Sequence, residues 1–206
     1  MRAAGASGTS RLRGVDFTLD SPEVARRLIG MTLLIGGVGG IIVETEAYDR
    51  EDPASHSFSG VTPRNAVMFG PPGRAYVYLS YGIHWCLNFV CREAGHGAGV
   101  LIRALQPTTG IPVMMKRRRH RDPRLLCSGP GRLGQALAVT RELNGKRIDR
   151  RPFSLKAAPM RLSASESAPA ARFSIVSGPR IGISKAVDQP WRFGLAGSSY
   201  LSHPFR

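Results

Sequence analysis

Two glutamates on one predicted strand are the first residues of this sequence whose types and spacing could do chemistry. Residues 41–48 alternate so that Ile42, Glu44, Glu46 and Tyr48 share one face. A carboxylate on a half-buried strand costs free energy unless it is paired, and a salt bridge is its commoner fate. Both glutamates cannot occupy one catalytic position. Glu46 is favoured because it lies nearer the strand end, beside a long loop of the kind that carries functional residues.

Several ring side chains lie close to these glutamates in the sequence, namely Tyr48, His56, Tyr76, Tyr78 and Tyr81. Tyr76 and Tyr78 are two residues apart and therefore share a strand face. One interpretation is a sheet face packed with tyrosines. The other is a pocket that stacks a nucleobase, where each flat ring contributes about 1–3 kcal/mol.

Tyr81 differs from the other rings because Gly82 follows it between two predicted strands. A tyrosine on a tight turn points outward, and an exposed aromatic at a hairpin tip can enter a base stack. The sequence therefore predicts a wedge at this position.

The charge of the chain indicates what it binds. The 206 residues carry 29 Lys and Arg against 14 Asp and Glu, a formal net charge of +15. Such an excess favours a nucleic-acid partner, and a solvated basic surface is the alternative. The run 116–121 is either a DNA contact or a solvated helix end that complements the helix dipole.

Three cysteines without a C-x-x-C spacing argue against disulfides and a zinc site, and we expect a cytoplasmic protein without a membrane span.

The pattern of apolar residues and turn formers predicts a single compact α+β domain over residues 14–206, after a flexible lead over 1–13. The predicted sheet is curved and mainly antiparallel, like an open barrel or roll, with helices around it. Helices are predicted over 21–29, 110–119 and 128–139. Strands are predicted over 31–35, 41–48, 75–80, 84–91, 100–105 and 188–195, with a glycine turn over 36–40, a long loop over 49–73, and short strands within 151–183 around a loop at 163–171.

An ordered series of short motifs runs from about residue 20 to the C-terminus. In chain order they are VETEAY (43–48), SHS (55–57), TPRN (62–65), MF (68–69), PG (72–73), YVY (76–78), YG (81–82), CLN (86–88), VLIRAL (100–105), LCSGP (126–130), RIGI (180–183) and PWRF (190–193). No single motif is decisive, but the ordered series is highly specific. It resembles the alkyladenine DNA glycosylase family, also called the methylpurine-DNA glycosylase family.

The resemblance implies two catalytic residues, Glu46 and Arg103, and one substrate-binding position, Ile183, near the attacking water. Glu46, chosen over Glu44, matches the general base that deprotonates the attacking water. Arg103 matches the arginine that helps to hold this water. Ile183 matches a position whose backbone carbonyl touches the water.

The resemblance also implies how the damaged base is bound. Tyr48 and His56 match rings that sandwich the flipped base, and Tyr78 matches a third ring at its edge. Asn88 matches the asparagine that crowds the 2-amino group of normal guanine. Tyr81 matches the residue inserted into the gap that the flipped nucleotide leaves.

The implied activity is that of a monomeric, monofunctional DNA glycosylase that acts on damaged purines in double-stranded DNA. It would need no metal or cofactor. No lysine lies between residues 44 and 105, so no Schiff base is expected there. Candidate lesions are 3-methyladenine, 7-methylguanine, hypoxanthine and ethenoadenine. Ile83 and His84 depart from the family pattern, which concerns flanking-sequence contacts and flipping rather than the reaction, and Ser184 stands where the family has a glycine near the water site.

Two other functions are alternatives to a glycosylase. A non-enzymatic basic nucleic-acid-binding protein would fit the charge equally well, but it has no need of the Glu46, Tyr48, His56 and Arg103 constellation. A zinc-dependent deaminase lacks its H-x-E and P-C-x-x-C signature.

Overall fold

The computed structural model describes residues 11–12, 15–157 and 174–205. The strands in these ranges are β1 Arg11–Leu12, β2 Val15–Asp16, β3 Thr32–Ile35, β4 Val38–Tyr48, β5 Ala75–Ser80, β6 His84–Cys91, β7 Ala98–Thr109, β8 Phe153–Lys156, β9 Ile175–Gly178 and β10 Arg192–Leu195. The helices are α1 Ser21–Leu28, α2 Ile111–Arg118 and α3 Pro130–Ala136, with 3-10 turns at Ala66–Phe69, Pro123–Leu125 and Arg141–Leu143.

Eight strands of the described ranges form one antiparallel sheet in the order β5-β6-β7-β4-β10-β9, and β3 pairs with both β4 and β8. β3 lies against the first part of β4, and β10 lies against its last part. The sheet therefore curls around β4 into a half-barrel. The helices pack against it, and the predicted single α+β domain is confirmed.

Most predicted elements are present, with shifted ends. The three predicted helices correspond to α1, α2 and α3, and the predicted strand over 100–105 is the longer β7. The closing strand over 188–195 is reduced to β10. None of the helices in the described part of the chain has the length and apolar character needed to cross a membrane.

Two predictions fall largely or wholly outside the described residues. The predicted lead over 1–13 includes only Arg11–Leu12 among described positions, and these two residues pair with β2. The predicted loop over 163–171 lies entirely outside the described ranges.

The hairpin between β3 and β4 is tighter than the sequence predicts. The expected turn over 36–40 is a two-residue turn at Gly36 and Gly37, with φ of 58° and 83°. Gly39 and Gly40 belong to β4 instead. A Cβ atom at either position would lie 1.9 Å from a backbone oxygen of β3 or β7. Glycine therefore allows both neighbouring strands to approach β4 closely.

The predicted face shared by Ile42, Glu44, Glu46 and Tyr48 is wrong for Ile42. The pairing of β4 with β7 shifts register between Ile42 and Glu44, and again between Glu44 and Thr45. Ile42 packs in the main hydrophobic core, while both carboxylates reach an arginine of β7. A bulge of this kind re-aims side chains and is common beside active sites.

A buried ion pair ties the loop after β4 to the segment after β9. Arg180 donates Nη2 to Asp52 Oδ1 at 2.9 Å and Nη1 to Asp52 Oδ2. Its Nη1 also donates to the carbonyl oxygen of Ala47 at 2.9 Å. Both side chains of the pair are fully buried. The pair therefore fixes two chain segments that are distant in sequence on the same end of β4.

We predict that Asp52→Asn lowers the free energy of unfolding by roughly 3–5 kcal/mol, because Arg180 is left buried without a countercharge. Urea denaturation followed by circular dichroism measures the loss. The matched control is Asp149→Asn, whose ion pair with Arg147 is solvent-accessible and should contribute about 0–1 kcal/mol. Equal losses in the two variants would contradict the structural role of the buried pair.

Candidate active site

A cavity of about 470 Å³ opens beside the end of β4, between the loop after this strand and the β5–β6 hairpin. Seven of the eight residues predicted for the site line it, namely Tyr48, His56, Tyr78, Tyr81, Asn88, Arg103 and Ile183. Glu46 is the eighth, and it lies behind the cavity wall with no solvent exposure. Residues from five separate parts of the chain thus meet at one place.

The Glu46 carboxylate is held by three donors. Its Oε2 accepts hydrogen bonds from the Tyr48 hydroxyl at 2.9 Å and from Arg103 Nη1 at 3.1 Å. Its Oε1 accepts one from the backbone amide of Ile181 at 2.8 Å. Tyr48, Arg103 and Ile181 also line the cavity. The carboxylate is therefore fixed directly behind three groups that a bound molecule would touch.

Glu44 is in a different situation, although it is equally buried. Its Oε1 accepts from Arg103 Nε at 3.0 Å, from Arg192 Nε at 2.8 Å and from the Ser202 hydroxyl at 2.7 Å. Burial raises the pKa of Glu44, but Arg103, the two Ser202 donors and Arg192 outweigh it and hold this pKa below its usual value. Glu44 is thus an ionised structural carboxylate away from the cavity.

Arg103 joins the two carboxylates. It extends from β7 and is 4% exposed. Burial lowers the pKa of Arg103, but Glu46 and Glu44 outweigh burial and raise it. The guanidinium therefore stays charged between them.

Three rings form one side of the cavity. The His56 and Tyr78 rings meet edge to face, with centroids 4.5 Å apart. His56 Nδ1 lies 3.1 Å from the Tyr76 hydroxyl, which orients the imidazole. Burial raises the pKa of Tyr76 to about 12 and that of Tyr78 further, so both phenols are neutral at physiological pH.

The Tyr48 ring is held by a different interaction, a contact with a guanidinium group. The Arg180 guanidinium lies 4.7 Å from the centroid of the Tyr48 ring, a cation–π contact. Burial, followed by the Glu46 carboxylate, raises the pKa of Tyr48 well above its usual value. Its hydroxyl is therefore a donor to Glu46.

His56 sits at the rim of the cavity on the loop after β4. The residue is solvent-exposed overall, but its ring packs against Tyr76 and Tyr78. The partial burial of the ring, and next the Arg64 guanidinium, lower the pKa of His56 below its usual value. Asn65 donates Nδ2 to the His56 carbonyl at 2.7 Å and so holds this part of the loop.

The floor of the cavity contains Asn88, which is 6% exposed. Its Nδ2 donates to the Tyr76 carbonyl at 3.1 Å across the β5–β6 pair. Ile183 lines the cavity as predicted, but the backbone group of its segment that contacts Glu46 belongs to Ile181, two residues earlier.

The tip of the β5–β6 hairpin projects from the cavity edge. Tyr81 is 88% exposed and Ile83 is 71% exposed. Tyr81 and Gly82 both have positive φ, 49° and 71°, and the Ile83 amide donates to the Ser80 carbonyl at 3.0 Å. Two central residues with positive φ make a type I′ turn. A non-glycine residue in this conformation is uncommon, and it directs the Tyr81 ring outward.

Some residues of the basic run 116–121 contact helix α3, and others are exposed to solvent. Arg117 donates to the Ala136 carbonyl at 2.9 Å and Arg118 donates to Gln135, so both contact α3. Lys116, Arg119 and Arg121 are exposed.

Sequence reasoning missed one residue that lines the cavity, Ile181, and four that support the site from outside the cavity. They are Ile181, Arg180, Asn65, Arg192 and Ser202. The RIGI and PWRF motifs contain three of them, but nothing in either motif indicates a contact with a glutamate of β4. Within the described ranges, no three His, Cys, Asp or Glu side chains are grouped so as to hold a metal ion.

The comparisons with known proteins point to one family. The family model described as methylpurine-DNA glycosylase matches residues 15–199. A relative from Nitrosospira multiformis is 63% identical over 192 residues, which cover 93% of this chain and 94% of the relative. A relative from Rhodopseudomonas palustris is 58% identical, covering 95% and 92% of the two chains, and one from Rhizobium meliloti is 54% identical, covering 92% and 95%.

The names of all three relatives propose a 3-methyladenine DNA glycosylase. The matched family model spans most of the chain, including every residue of the cavity described above. This chain therefore belongs to the methylpurine-DNA glycosylase family.

Proposed function

We propose that this protein is a monofunctional DNA glycosylase that removes alkylated purines, 3-methyladenine first among them, from duplex DNA by hydrolysing the N-glycosidic bond. The observation that carries the proposal is the buried Glu46 carboxylate, held by Arg103 behind a cavity with aromatic walls. Such a cavity accepts a flat base, and the carboxylate lies directly behind the wall of this cavity.

The target nucleotide must first leave the duplex, at a cost of a few kcal/mol. Tyr81 is suited to fill the gap, because its ring is exposed at the tip of a rigid two-residue turn. The formal net charge of +15 supplies attraction to the phosphates. A damaged or mispaired base is extruded at lower cost, which provides part of the selectivity.

The flipped base stacks between Tyr48 on one side and His56 on the other, with Tyr78 at its edge. N3- and N7-alkylated purines carry positive charge, and neutral rings attract such a base through their π faces. The lowered pKa of His56 keeps its imidazole neutral at pH 7. Asn88 at the floor crowds the 2-amino group of normal guanine.

Hydrolysis then requires one water and one base. As the bond from the sugar to the purine breaks, positive charge develops on the sugar, and the Glu46 carboxylate stabilises this charge. Water adds to the anomeric carbon, its proton passes to Glu46, and the purine leaves with the bonding electrons. Oε1 has one described donor, the Ile181 amide, and a carboxylate oxygen has room for a second. The attacking water donates to that position.

No lysine lies between residues 44 and 105, where most of the cavity wall originates. A Schiff base with the sugar would require such an amine. The product is therefore an abasic site in an intact strand, which is the starting point of base excision repair.

We predict that Glu46→Gln lowers single-turnover excision of 3-methyladenine at least about a hundredfold, because the amide cannot accept the proton of the water. Affinity for the lesion-bearing duplex should change little, since the isosteric amide fills the same space. Alkali cleavage of the abasic product and electrophoretic mobility shift measure the two quantities.

The matched control is Glu51→Gln, an exposed glutamate on the adjacent loop, which should excise at the wild-type rate. Near-normal excision by Glu46→Gln would refute the assigned base. A wild-type protein that binds duplexes but releases no base from a panel of 3-methyladenine, 7-methylguanine, hypoxanthine and ethenoadenine would instead indicate a non-enzymatic binding protein.

A second prediction concerns Tyr81. Tyr81→Ala should lower excision from duplex DNA roughly tenfold or more, whereas excision from a single strand should change much less, because only the duplex needs its gap filled. Val113→Ala, another exposed apolar residue, serves as the control. Equal losses on duplex and single-stranded substrates would contradict the wedge role.

A third prediction concerns the protonation of His56. We expect its pKa to lie below about 6.5, so the unfolded chain takes up this proton before the folded protein does. The stability contributed by the neutral ring is complete above about pH 6.5 and is lost as the pH falls below it. NMR titration of the ring measures the pKa, and Arg64→Gln should raise it. A pKa at or above 6.5 in the wild type would contradict the neutral stacking partner.

A further inference from the structure

Two carboxylates and two guanidinium groups form a buried cluster behind the cavity. Glu44 and Glu46 have no exposure, and Arg103 and Arg192 are each 4% exposed. The formal charges of these four groups cancel. Only Glu46 and Arg103 have a role in the reaction described above. Glu44 and Arg192 have none there.

Ser202 connects this cluster to the segment after β10. Its backbone amide donates to Glu44 Oε2 at 2.5 Å, and its hydroxyl donates to Glu44 Oε1 at 2.7 Å. The same hydroxyl accepts a hydrogen bond from Arg103 Nη2 at 3.3 Å. Arg192 strengthens the attachment by donating to the carbonyl oxygens of His203 and Pro204. A residue 158 positions away from Glu44 thus closes the cluster.

The three donor groups of Arg103 have three different acceptors. Nε donates to Glu44, Nη1 donates to Glu46 and Nη2 donates to Ser202. Because the guanidinium is planar and rigid, fixing Nε and Nη2 determines where Nη1 points. The direction of the Arg103 contact with Glu46 is therefore set by Glu44 and Ser202.

We propose that Glu44 and Ser202 are positioning residues for base excision, which hold Arg103 on Glu46 and divide the charge of Arg103 between two carboxylates. The proposal rests on the proposed function, since it assigns these residues to the same reaction. Neither residue lines the cavity, so both act through Arg103 and not on the substrate.

The division of charge affects how strongly Glu46 attracts a proton. The titratable or charged groups near Glu46 among the described residues include Arg103 on β7, Tyr48 and Glu44 on β4, Tyr78 on β5, Arg192 opposite it on β10, and Arg180 on the segment after β9. Both tyrosines are neutral, because burial raises the pKa of each. Loss of the negative charge of Glu44 would therefore leave an excess of positive charge beside Glu46, which disfavours proton transfer from the water to this carboxylate.

The first test uses Ser202→Ala, which keeps every charge and removes one hydroxyl. Single-turnover excision of 3-methyladenine should fall roughly tenfold to a hundredfold, as expected when a catalytic group is misplaced, while duplex affinity stays unchanged. Ser202→Thr should recover most of the rate. The matched control is Ser198→Ala in the same segment, whose hydroxyl accepts only from the Tyr200 amide and which should excise at the wild-type rate. Wild-type excision by Ser202→Ala would overturn the proposal.

The second test uses Glu44→Gln and the dependence of single-turnover excision on pH. We expect the acidic limb of the rate profile to move to lower pH and the plateau rate to fall. A merely structural role predicts an unmoved limb and a rate that scales with the folded fraction, and this result would overturn the proposal. Where Glu44→Gln does not fold, the Ser202 variants decide the question.

The outcomes separate this proposal from the proposed function. If the wild type releases no base from any lesion duplex, or if Glu46→Gln excises normally, the proposed function fails and the positioning role fails with it. If the wild type is active and Glu46→Gln is inactive, but the rate of Ser202→Ala is normal, only the positioning role fails.

Discussion

The contact of Arg103 with two carboxylates on the neighbouring strand is the interaction on which the rest of this structure depends. A buried guanidinium requires countercharges, and a single bulged strand supplies both Glu44 and Glu46. One carboxylate is saturated by structural donors. The other lies behind the cavity with an oxygen that can still accept. Two like residues thereby occupy two different environments around one shared partner.

The curled sheet brings the groups of this contact together. β4 pairs with β7 along its length and with β10 over residues 44–46, so Arg103 and Arg192 approach the carboxylates from the two adjacent strands. Asp52 and Arg180 then fix the loop and the later segment that complete the cavity. The rigid part of the site is therefore built on strands. His56 and Tyr81, which the proposed function assigns to contacts with DNA, lie on a loop and on a turn.

Local patterns in the sequence were enough to identify the strands, the ring side chains and an exposed Tyr81. The ordered motifs, through the family resemblance, distinguished Glu46 from Glu44, which periodicity could not do. Periodicity failed at Ile42, because a bulge of one residue inverts the faces of a strand. It also gave no sign of Ser202 or Ile181. Their contacts with Glu44 and Glu46 span 158 and 135 residues, and pairing at such distance leaves no local signature.

A double-mutant cycle tests most directly whether Arg103 contributes to the rate of excision through its contact with Glu46. Single-turnover excision of 3-methyladenine would be measured for Glu46→Gln, Arg103→Gln and the double variant, with each rate corrected for the folded fraction. We expect strong non-additivity, with the double variant about as slow as Glu46→Gln alone. Losses that simply multiply would show that the two residues act independently, and would contradict the account.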